Sequence, residues 1–79
     1  MSKRNQNDKK RKRYEREFLA QVAHNIRYYR LKKIFSQEEL QEKTGIKISR
    51  CETGRHDMTL TTIRIISRYL EIEPCELLK

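Results

Sequence analysis

The chain has little glycine, proline or cysteine: two, one and two of them in 79 residues. Each scarcity excludes something. Gly45 and Gly54 stand singly at turns, so no phosphate-cradling loop is available. Cys51 and Cys75 lie 24 residues apart without CxxC or His-rich spacing, so neither a disulfide framework nor a metal site is expected. Both read as buried, reduced thiols. His24 and His56 are isolated, and no metal-ligand role is expected of either. No apolar run is long enough to span a bilayer, and no hydrophobic signal-peptide segment follows the basic amino terminus. The chain is therefore expected to be soluble and cytoplasmic, with no membrane partner and no cofactor. No nucleophile is paired with a base, so an enzyme is not expected.

Charge is what the sequence does have. Charged residues make up 38% of the chain against 35% apolar, and the formal net charge is +8, which favours a polyanionic partner. The excess is uneven. Residues 1–17 hold eight Lys and Arg against three Asp and Glu, and the remaining residues hold eleven against eight. Residues 1–13 have no apolar periodicity and are expected to form a disordered basic arm ahead of one folded domain, 14–79. Such an arm is common in DNA-binding proteins, and its charge also suits RNA or an acidic membrane.

From Tyr14 the pattern turns helical, with Phe18, Val22, Ile26 and Tyr29 on one face. Ser36 and Glu39 have the spacing of a capping box, and Phe35 and Leu40 that of a hydrophobic staple, which predicts a helix over 37–43. Thr44-Gly45 ends it, and a short helix follows from Lys47 to Thr53, stopped by Gly54. Thr59 is the next candidate cap, for a helix near 60–70, and Glu73-Pro74 opens a fifth. Ile46, Ile48, Cys51, Leu60, Ile63 and Leu70 are the expected core positions. No segment reads as a strand. The expectation is all-α, a compact bundle of five helices, in which two short helices joined by a glycine turn form a helix-turn-helix.

From Ile26 to Leu78 the chain resembles the Cro/C1-type helix-turn-helix domain, the xenobiotic response element family of phage repressors and bacterial regulators. The matching pieces are IRYYR, FSQEEL, TGI, ISRCETG, TLTTIRIISRYL and EIEPCELL, in the family's order. The resemblance implies a lambda-repressor-like fold and double-stranded DNA as partner. It places Gln37 where the family grips a phosphate, and Arg30 and Glu52 where it has a structural ion pair. Arg50 falls at a position that reaches a base edge, and Arg55 and His56 fall in a loop that contacts phosphates.

Two departures stand out. Gly45 and Glu52 are seven positions apart, shorter than the family's spacing by most of a helical turn. The small residue usual in the second helix is Gln41, which the vacated space is expected to accept. Lys47, Ser49 and Arg50 are then the side chains left to face DNA from the third helix. Arginine in such a place binds guanine through two hydrogen bonds.

The functional expectation is a sequence-specific DNA-binding transcriptional regulator, a repressor reading the major groove with its third helix. It is expected to act as a homodimer on half-sites roughly 34 Å apart, with the surface near Glu73–Lys79 as the contact. Two alternatives stand beside it. One is an antitoxin-type module that binds a toxin as well as its own promoter, which the shortened helix favours. The other is a nonspecific nucleic-acid binder driven by the arm.

Overall fold

The computed structural model describes the backbone of residues 6–79 and the side chains of residues 12–79. Five helices follow one another: α1 (Gln6–Lys32), α2 (Gln37–Thr44), α3 (Ile48–Cys51), α4 (Leu60–Tyr69) and α5 (Pro74–Leu77). There is no strand among the described residues, so the domain is all-α.

Helix α1 has 27 residues, a rod of about 40 Å at 1.5 Å per residue. Among its described side chains, those toward the carboxy terminus are the packed ones. Val22, Ala23, Ile26 and Arg30 are buried there, whereas every residue from Lys12 to Phe18 is exposed. The stretch from Gln6 to Arg13, expected as an unstructured arm, is helical. It contains no glycine or proline, and it extends a helix already held by packing, so no costly nucleation is needed. The first five residues of the expected arm lie outside the described residues. Phe18, expected to open the core face, is 46% exposed because no other helix covers α1 at that level.

Helices α1 and α4 end in left-handed turns made without glycine. At the end of α1, Phe35 N–H donates to Arg30 O (3.1 Å) and Ile34 N–H to Leu31 O (2.9 Å), a Schellman arrangement with Ile34 at φ 61°. At the end of α4, Ile72 N–H donates to Ser67 O (3.0 Å) and Glu71 N–H to Arg68 O (3.1 Å), with Glu71 at φ 59°. The two turns meet through Lys33 Nζ and Glu71 Oε1 at 2.6 Å. That hydrogen bond and the lysine charge hold the Glu71 carboxyl below its ordinary range.

Helix α2 starts on a complete capping box. Glu39 N–H donates to Ser36 Oγ (3.0 Å), and Ser36 N–H donates to Glu39 Oε1 (2.7 Å). It closes on Gly45 at φ 75°, whose N–H donates to Gln41 O at 2.7 Å. Gln41 itself is exposed and fills no space behind α3. Helix α3 is a single turn, shorter than the expected span from Lys47 to Thr53. Lys47 is its N-cap, and the backbone leaves the helix at Glu52. The segment is pinned between Gly45 and the buried Glu52 side chain, which leaves room for one turn.

Helix α4 is capped by Thr59, whose Oγ1 accepts from Thr62 N–H at 3.1 Å, and Pro74 is the first residue of α5. Asn25 Nδ2 donates to Leu77 O at 3.0 Å and fastens α5 to α1. Ile26, Leu40, Ile48, Ile66, Leu70 and Leu77 are fully buried and form the centre of the core. Leu60, expected among them, is 79% exposed. It occupies the first turn of α4, which projects past the core beside the uncovered half of α1. Cys51 is buried, and burial pushes its thiol up. Cys75, expected to be buried as well, is exposed.

Candidate nucleic-acid interface

The interface is organised around one buried ion pair. Arg30 Nε meets Glu52 Oε2 at 2.6 Å, and Nη2 meets Oε1 at 3.0 Å, with both side chains less than a tenth exposed. The remaining guanidinium nitrogen, Nη1, donates to Phe35 O at 2.8 Å. Gln37 Nε2 donates to Glu52 Oε1 at 2.9 Å. No buried side-chain nitrogen or oxygen among the described residues lacks a hydrogen-bond partner. This network joins α1, the α1–α2 corner, the first residue of α2 and the end of α3. It therefore fixes the angle between the two helices of the motif. The Arg30 guanidinium is thus buried and its hydrogen bonds are spent within the protein.

Gln37 was expected to grip a phosphate. Its amide is engaged by Glu52, so one N–H is committed inside the protein and the other is left for an outside acceptor. Lys47, Ser49 and Arg50 all lie exposed on or beside α3. None has a side-chain hydrogen bond among the described residues, so each is available to a partner. Helix α3 is about 6 Å long at 1.5 Å per residue, which limits the bases it can face.

The loop after α3 is built by Thr53 and Gly54. Thr53 Oγ1 donates to Arg50 O (2.8 Å) and accepts from Arg55 N–H (3.1 Å), tying the last turn of α3 to the loop. Gly54 has φ 76°, and a Cβ placed on it would come within 3.1 Å of Ala20 Cα. Only glycine suits both the backbone and that close approach. Arg55 is exposed and His56 half-buried in this loop. The structure thus brings Lys47, Ser49, Arg50 and Arg55 into one continuous segment, with Gln37 joined to it through Glu52. Sequence reasoning missed Thr53 and Ala20. The Glu-Thr-Gly order was visible, but the partners of Thr53 and Gly54 were not.

Among the described residues no group of three or more His, Cys, Asp and Glu is placed to hold a metal ion, and no helix is long and apolar enough to cross a membrane.

A compact all-α body with a glycine turn between two short helices, braced by a buried Arg–Glu pair, is the helix-turn-helix class of DNA-binding domain. The family model described as Helix-turn-helix, of the Cro/C1 type, matches residues 26–77. The chain belongs to that family, and DNA is its partner. The family is one of DNA-binding regulators that are typically not enzymes. No curated protein and no solved structure matches the chain.

Proposed function

We propose that the protein is a sequence-specific transcriptional regulator in the cytoplasm, a repressor that occupies an operator of two half-sites and excludes polymerase. Arg50 supplies the base contact from α3. Lys47 and Ser49 lie beside it, and Gln37, Arg55 and His56 hold backbone phosphates. The observation that carries this reading is the exposure of Arg50 at the end of an α3 whose position is fixed by the buried Arg30–Glu52–Gln37 network. A base-reading arginine needs such a rigid mount, since two hydrogen bonds to guanine tolerate little displacement.

A two-fold dimer supports the operator geometry. Phe18, Leu60 and Leu78 are exposed around an apolar groove of about 230 Å³ lined also by Val22 and Ile63. The projecting side chains and the groove lie on the same face, so a second copy related by a two-fold axis covers both at once. Leu78 places this seam next to α5.

The test is selection of bound duplexes from a random pool, repeated with Arg50→Ala. The wild type should return a motif, and the variant should return it with one position relaxed, a loss of about 1–3 kcal/mol in discrimination there. Recovery of no motif at moderate ionic strength would overturn the reading.

One observation favours a second reading. A one-turn α3 gives little base readout, as suits an antitoxin-type module whose tight partner is a toxin protein. A stoichiometric complex with a co-expressed toxin that survives high salt would support that reading over operator binding alone.

A further inference from the structure

We infer that the exposed amino-terminal part of α1 is a second DNA-binding element, a rigid basic rail that continues the phosphate contact of the loop after α3. This rests on the reading that the loop faces DNA. The close approach of Gly54 to Ala20 seats the loop directly on α1. Residues four and seven positions before Ala20 share its side of an α-helix. Those residues are Arg16 and Arg13, and both are exposed. Lys12, also exposed, borders the same stripe.

The stripe is therefore in line with the loop. Arg50 O and Arg55 N–H are bridged by the Thr53 hydroxyl, and Gly54 lies between Thr53 and Arg55. Arg50 and Arg55 stand on that loop and Arg16 and Arg13 on the side of α1 it faces, with Glu17 the acidic residue bordering the stripe. Tyr14 and Phe18 lie on other faces of α1, and Phe18 lines the apolar groove. Arg13 is 3.9 Å from Glu17 in an exposed pair, too weak to withhold it from a phosphate. From Ala20 back to Lys12 the rail is about 12 Å long at 1.5 Å per residue. That length extends the protein's reach along the duplex beyond what the single turn of α3 covers.

The partner is the sugar–phosphate backbone of duplex DNA, bound without regard to sequence. The experiment measures the salt dependence of binding to a selected duplex for the full chain, R13Q/R16Q and R64Q/R68Q. The last pair removes the same charge from exposed positions on α4. Each lost phosphate contact flattens the log–log slope by about 0.9. R13Q/R16Q should flatten it by nearly 2, keep the same selected motif, and leave the helical circular dichroism of the body intact. R64Q/R68Q should leave the slope close to wild type. Equal flattening by both pairs would mean that net charge alone acts at long range, and an unchanged slope in R13Q/R16Q would mean no contact; either result overturns the rail. The regulator reading fails separately, when the wild type shows no preference among duplexes; the slopes of the three proteins are then compared on any one duplex, and the rail is judged by them alone.

Discussion

Ile34 occupies the left-handed region of the backbone at φ 61° with its side chain 85% exposed. A β-branched residue there costs about 1–2 kcal/mol, and so exposed a side chain recovers little of it by burial. Glycine has no such cost, although it loses about 0.4–1 kcal/mol through the freedom of the unfolded chain. Ile34→Gly should therefore raise stability by about 0.5–1 kcal/mol, read as a melting temperature several degrees higher in a domain of this size. Glu71 has the same backbone conformation, but its carboxylate holds Lys33, so replacing it removes a contact that Ile34 does not make. The sequence marks a break at Ile34-Phe35-Ser36 through the new cap, but the left-handed backbone at Ile34 and Glu71 was not legible, because each stands where glycine is usual.

At the scale of the element, the decisive unit is the Arg30–Glu52–Gln37 network across α1, α2 and α3. Arg30→Ala leaves Glu52 buried and unpaired, a loss of about 3–5 kcal/mol. Arg30→Met with Glu52→Leu removes both charges and should cost clearly less than Arg30→Ala alone. Urea unfolding of both variants measures the difference, and a double variant less stable than Arg30→Ala would contradict this account. The elements that were legible in sequence are those with local signals: the Ser36–Glu39 box, Thr59 as a cap, and Pro74 at the start of α5. The pair itself was indicated only by resemblance. What was not legible depends on distant packing. Helix α3 stops after Cys51 because Glu52 is drawn toward Arg30, and Leu60 stays exposed because nothing lies over the first turn of α4. The start of α1 was hidden for another reason: a run of charged residues carries no periodicity, yet it propagates a helix that packing elsewhere has already formed.

For the whole molecule, one body presents a basic side and an apolar side. The apolar side is tested by Leu60→Glu. Leu60 is exposed at the first position of α4, where the helix has no acidic residue in its first turn, so glutamate there is tolerated and favoured slightly by the helix dipole. The melting temperature at low protein concentration should be unchanged or a little higher. Sedimentation should show the wild type as a dimer and the variant as a monomer, and a dimer that persists in the variant would move the seam elsewhere. The continuity of α1 carries one more consequence, about phase. The same rod is buried near its carboxy terminus and exposed from Lys12 to Phe18, so deleting a residue between Arg16 and Ala20 would rotate everything ahead of the cut by about 100°. Arginines aligned with Gly54 would then swing off its side while the bundle stayed whole. Insertions close to whole turns, of about four or seven residues, would restore the alignment.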